Sequence, residues 1–303
     1  LEKVPYLGLP NCFRLSNGTA EVVVASDVGP RVLRYALAGG ENILGEHPDA
    51  AVGTEWGTFK PYGGHRLWTA PEASPRSYSP DNDPVAAEPD GPLGVRLLQE
   101  ADPRTGVRKE MIVSLDPAGA GVRVTHRLSN EGVWPLELAP WALTIMRPGG
   151  EVVIPQEPYG PHPDYLLPAR PLVLWHYTDL SDSRLTLGKK FIRLRVDEGR
   201  AEPQKVGLLN KQGWAAYAAG ADLFVKRYGH EEGAAYPDYG CNTEVFTAGP
   251  FVEIESLGPL SRLEPGAAVE HVERWDLYGG VSLGEGEEGI EAAVGPLVRR
   301  PVI

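Results

Sequence analysis

Two short stretches concentrate groups that could do chemistry. The first is Tyr62 to Glu72, YGGHRLWTAPE, which sets the His65 imidazole, Arg66 guanidinium, Trp68 indole and Glu72 carboxylate between glycines and prolines. Such groups hold and transform a sugar. Two glycines before His65 allow a turn or a close backbone approach, and the prolines at 61 and 71 oppose a regular helix, so the stretch reads as a functional loop. Its structural alternative is a rigid loop with Trp68 in the core and Arg66 paired with Glu72. The second stretch is FVEIESL, where strand alternation puts Phe251, Glu253, Glu255 and Leu257 on one face and Val252, Ile254 and Ser256 on the other. The two carboxylates are then attached roughly 6 to 7 Å apart, and neighbouring like charges raise one pKa toward the range useful for proton transfer. The alternative is an ordinary solvated strand face.

Glu244, in CNTEV, lies across from Phe251 to Glu255 if AGP closes a hairpin, and Asn242 beside it joins the substrate-binding candidates. Its plainer reading is a cross-strand pair with a base. His126 shares a face with Val122, Val124 and Leu128 and reads as a satisfied, half-buried histidine. In AVEHVERWDLY, Val269, His271, Glu273 and Trp275 share a face, neither side being plainly catalytic.

The elements that must position these groups are strands. The 303 residues include 36 Gly and 29 Pro spread along the chain, which suits many short strands joined by turns. AEVVVAS and RVLRYAL flank the turn signal DVGP. LGVRLLQEAD, GVRKEMIVSLDP, GVRVTHRLSNEG and WPLELAPWALTIM read as a meander. Further strands follow at LVLWHY, KFIRLRV, QKVGLLN, GWAAYAA and DLFVKRY. Ser74 to Asp90 and Pro155 to Pro171 are expected surface excursions, with His162 exposed or near a site mouth. Only GEGEEGIEAAVGPLV has a helical period, with Ile290, Ala293 and Val294 on one side. Nothing marks a boundary, so residues 1–303 read as one all-β domain, a large antiparallel sandwich with a short C-terminal helix.

The formal charge is −12, from 41 acidic against 29 basic residues, without a Lys/Arg run. Nucleic acid and acidic membranes are disfavoured as partners, whereas a neutral carbohydrate suits the balance. Cys12 and Cys241 are too few for a disulfide scaffold or a four-cysteine zinc site, and sequence leaves their pairing open. No apolar run approaches the roughly 20 residues a membrane helix needs. A cytoplasmic location is the default expectation, and a start at Leu1 leaves export after removal of a signal segment as its alternative. No cofactor is expected. No His- or Cys-rich metal motif occurs, and the carboxylates of Glu244, Glu253 and Glu255 are the candidates for a divalent site.

GGHRLWTAPE, followed far downstream by FVEIESLGPLSRLEPGAAVEHVERWDLY, resembles the galactose mutarotase-like (aldose 1-epimerase-like) superfamily, in its branch carrying a GGHRLW-APE motif. The resemblance implies a β-supersandwich whose concave face binds carbohydrate. It implies that a C-terminal glutamate removes the proton from the anomeric hydroxyl while a histidine protonates the ring oxygen. Glu255 matches that glutamate, followed by Ser256 where the family has proline. His65 and Arg66 match the first histidine segment, and Glu253 becomes a neighbour that tunes Glu255 or binds a hydroxyl. The family's second histidine is missing: this chain has APWALTIM, with Trp141 and Thr144. Hence three expectations stand. His65 serves as the acid, with Arg66 and Glu244 holding hydroxyls and Trp68 stacking; or His162 swings in; or the protein binds sugars without turnover, on Trp68 and Trp141 as platforms. A polysaccharide lyase or hydrolase is the more distant reading.

Overall fold

The computed structural model describes residues 1–299. Two antiparallel sheets, of eleven and ten strands, hold nearly all of the chain's regular structure. The first runs in the order Glu2–Tyr6, Leu9–Ser16, Ala20–Ala25, Arg31–Leu37, His65–Ala70, Leu136–Ile145, Phe251–Leu257, Thr243–Ala248, Gln204–Leu208 and Leu172–Leu174, with Ser261–Leu263 attached to Leu136–Ile145. The second contains Gly94–Leu98, Val107–Leu115, Val122–Asn130, Ala268–Gly279, Asp222–Tyr228 and Trp214–Ala219 in that order among its members. Between them lies the main core, built from inward residues of both sheets such as Val32, Leu67, Val124, Phe224, Ile254 and Trp275. On the far side of the second sheet, the helix Gly286–Val298 buries Ile290 and Val294 against Val153, Trp214 and Val225, as its period predicts. Among the described residues no helix is long and apolar enough to cross a membrane.

The turn at DVGP joins two paired strands as expected, and the first three pieces of the expected meander are consecutive neighbours in the second sheet. The fourth is different: Leu136–Ile145 crosses to the first sheet, between His65–Ala70 and Phe251–Leu257. The burial of its last eight residues explains this, since only a central strand with both faces covered can hold such a run. The Ser74 to Asp90 excursion is more ordered than expected, with Ala86–Pro89 forming an edge strand and Ser77, Ser79 and Asp81 buried.

The YGGHRLW segment is a strand and not a loop. His65–Ala70 is buried along its whole length. Its glycines serve a close approach to backbone: Gly63 and Gly64 have φ of 94° and 66°, and a Cβ on Gly64 would fall 2.0 Å from the Val32 carbonyl oxygen. Gly64→Ala is therefore expected to destabilise the fold by at least about 1–3 kcal/mol, read as a lower urea midpoint at unchanged slope.

Candidate functional site

One register row organises the outer face of the first sheet. Arg31, Arg66, Leu143, Glu255, Glu244 and Gly207 are successive cross-strand partners on five neighbouring pairings. Because side chains alternate along each strand, Trp68, Trp141, Glu253 and Lys205 lie on this same face one step along. Together with Phe59, Tyr78, Tyr177, Phe246, Phe251 and Glu72 they line a cavity of about 360 Å³. Aromatic walls with a few converging charges are the composition of a small-ligand site.

Glu255 is fully buried and fixed on one side only. Its Oε2 accepts from the Trp141 indole N–H at 2.8 Å and from Lys205 Nζ at 3.1 Å, while Oε1 has no partner in the protein. Lys205 also lies 2.7 Å from Glu244 Oε2, and its ammonium sits 5.0 Å and 4.6 Å from the Trp141 and Trp175 ring centres. Burial opposes the charge on Lys205, but Glu255 and Glu244 outweigh it and hold the ammonium well above the ordinary lysine range. Burial pushes Glu244 well above the usual carboxylate range, against Lys205 and with the charge of Glu255 adding to the rise. The trio therefore carries two carboxyl groups on one ammonium.

Glu253 accepts from Arg66 Nη2 at 2.8 Å. Burial raises its pKa, with Arg66 opposing and Glu255 adding to the rise. The Arg66 guanidinium stacks 4.6 Å from the Trp68 ring centre, and its Nε and Nη1 have no partner, nor does Trp68 Nε1. Glu72 accepts from the Tyr78 hydroxyl at the rim, not from Arg66.

His65 does not join this set. It is the immediate neighbour of Arg66 on a strand, so when Arg66 and Trp68 face the cavity, His65 and Leu67 must face the interior. Glu255 and His65 thus lie on opposite sides of the sheet, and the pairing of the two as base and acid is corrected. Asn242 is also removed from the cavity: its amide is tied to the Asn210 backbone, accepting at 2.7 Å and donating at 3.0 Å. Glu244 supports Lys205 without lining the cavity, and His162 is exposed and not among the lining residues. Lys205 was not among the sequence candidates. Its signal was a lysine inside the otherwise apolar KVGLL, next but one to Gly207, where a Cβ would come within 3.0 Å of the Trp175 ring.

Behind the cavity sheet, His65 enters a fully buried polar cluster. His126 Nδ1–H donates to the His271 carbonyl at 2.9 Å, which leaves His126 Nε2 to accept from His65 Nε2–H at 2.6 Å. His65 Nδ1 then accepts from the Thr144 hydroxyl at 2.9 Å. Lys226 bonds Glu273 of its own sheet at 2.7 Å and reaches across to the first sheet, to Ala142 O and Thr144 Oγ1 at 3.0 Å and Ile254 O at 3.2 Å. Glu273 also accepts from Ser256 and Trp275. His126 is thus satisfied, as its strand face implied, but fully buried instead of half-buried. Ligand atoms of His65, His126 and Glu273 lie within 4.8 Å of one another. The ring nitrogens of both histidines are already hydrogen-bonded and Lys226 already neutralises Glu273, so these contacts are complete without an ion.

This cluster predicts acid sensitivity. Burial lowers all three histidines, His271 down to about 3, with Glu273 opposing. Burial works against the Glu273 charge, but Lys226 and the histidines outweigh it and hold the group below the carboxylate range. Below an unfolded histidine pKa of about 6.5, the unfolded chain takes protons that the buried imidazoles refuse, so stability falls. The raised carboxyls Glu244 and Glu253 act in the opposite sense down to about 4.5 and flatten that first stretch. Below about pH 4.5 Glu273 joins the histidines, and each proton refused costs about 1.4 kcal/mol per pH unit. Urea titrations at pH 7, 4.5 and 3.5 are expected to show most of the loss in the last step; equal stability at 4.5 and 3.5 would contradict the assignment.

No protein-family model matches the chain, and no curated protein sequence matches it. Solved structures do. A galactose mutarotase-like protein from Lactobacillus casei superposes with a TM-score of 0.58 at 12% identity, over 88% of this chain and all of that one. The chain has the galactose mutarotase-like fold. A galactose mutarotase-like protein from Clostridium acetobutylicum gives 0.54 at 12% identity, over 88% of this chain and 95% of its own. A galactose mutarotase related enzyme from Lactobacillus acidophilus gives 0.52 at 9%, over 89% and 98%. In the mutarotase-like fold of this chain, the outer face of the eleven-stranded sheet carries the cavity, and Glu253 and Glu255 stand on its wall.

Proposed function

We propose that this chain binds a sugar in the cavity between Arg66 and Lys205 and interconverts its anomers by ring opening. One observation carries the reading: Glu255, on the wall of a cavity that Trp68 and Trp141 also line, keeps one carboxylate oxygen without a protein partner. Glu255 takes the proton from the anomeric hydroxyl as the bond from the anomeric carbon to the ring oxygen breaks. Glu253, on the same strand face, supplies the proton that the ring oxygen gains, the role His65 cannot fill. Rotation of the open-chain aldehyde about the bond between its first and second carbons, followed by reversal of both transfers, gives the other anomer and restores both carboxyl groups. The free Nε and Nη1 of Arg66 hold hydroxyls through charge-assisted hydrogen bonds, and Trp68 and Trp141 offer apolar ring faces.

The test is polarimetry on freshly dissolved α-glucose and α-galactose, with and without the protein. Acceleration over buffer supports the enzyme. Among the described residues no histidine lines the cavity, which favours a second reading, sugar binding without turnover on the same surface. Calorimetric binding of either sugar without acceleration would select it, and neither binding nor acceleration would exclude both.

A further inference from the structure

Beside the Glu255 cavity lies a second one of about 350 Å³, lined by Val173, Leu174, Trp175, His176, Asp238 and Tyr239. One short segment contributes to the lining of both. Trp175 and His176 line the second cavity, Tyr177 lines the first, and the Trp175 ring lies 4.6 Å from Lys205, which bonds Glu255. Across the second cavity the chain at Pro237–Gly240 is held in an unusual form. Asp238 and Tyr239 both take left-handed backbone, with φ of 50° and 59°. The outcome is a tyrosine side chain that is 96% exposed. Folding gains nothing from placing a large ring there, and two successive non-glycine residues at positive φ cost backbone energy. A flat ring, a half-buried indole, an imidazole and a carboxylate around an open cavity form the set that stacks on and hydrogen-bonds a pyranose.

We infer that the second cavity is a subsite for the next residue of a glycan whose reducing-end sugar occupies the Glu255 cavity, with Tyr239 and Trp175 as stacking platforms and Asp238 and His176 holding hydroxyls. The ligand is then a reducing oligosaccharide of at least two residues. This rests on the sugar reading of the first cavity.

Calorimetry with glucose and galactose against maltose, cellobiose and lactose tests it. At least one disaccharide is expected to bind about tenfold or more tightly than the monosaccharide at its reducing end. Tyr239→Gly, which removes the ring and relieves the positive φ, is expected to erase that gain while leaving monosaccharide affinity unchanged, and Tyr239→Phe to keep it. Monosaccharide binding with no disaccharide gain overturns the subsite alone. So does a gain that survives both Tyr239→Gly and Asp238→Asn. Binding of none of the five sugars overturns the subsite and the sugar reading together.

Discussion

Glu255→Gln is expected to slow the interconversion of sugar anomers by about 10²–10⁴-fold, the usual contribution of a positioned acid or base. The amide keeps the shape of the carboxylate and still accepts from Trp141, and Lys205 keeps Glu244 as its counterion. Folding should therefore survive, and a thermal melt superimposable on the parent's is the control. Loss of kcat with little change in KM would mark a group used in proton transfer more than in sugar binding. Glu253→Gln should give a comparable loss if its proton reaches the ring oxygen. A Glu255→Gln protein as fast as the parent would remove the proposed base.

Lys226→Met is expected to destabilise the protein by about 3–5 kcal/mol, because it strands Glu273 as a buried charge. The ammonium is wholly enclosed and holds together parts of both sheets: Glu273 on one, and Ala142, Thr144 and Ile254 on the other. Urea unfolding of Lys226→Met and of the double variant Lys226→Met/Glu273→Leu separates pairing from packing. The double variant should recover much of the lost stability, since apolar groups replacing a buried pair are often tolerated. A single variant within about 1 kcal/mol of the parent, the range of an exposed pair, would contradict this account.

Strand alternation was the part of the sequence that could be read most directly. It put Glu253 and Glu255 on one face, and His271, Glu273 and Trp275 on another, and both groupings are seen. His65 was misplaced for a related reason. With two glycines before it and a proline after it, the segment reads as a loop, and in a loop adjacent residues can face one site. Once it is a strand, Arg66 and His65 must diverge. Lys205 was out of reach for another cause: it meets Glu255 only because Gln204–Leu208 lies beside Thr243–Ala248, a neighbour relation spanning about forty residues that local pattern does not encode. The fate of the cysteines was likewise undecidable locally; both are buried free thiols.

The position of Lys205 between two indoles has a practical consequence. A fixed positive charge at 4.6 Å and 5.0 Å from the Trp175 and Trp141 rings biases their excited states, and a ligand that draws on Glu255 alters that charge balance. Intrinsic tryptophan fluorescence is therefore expected to change when a sugar fills the cavity, and a spectrum unchanged at saturating sugar would contradict this.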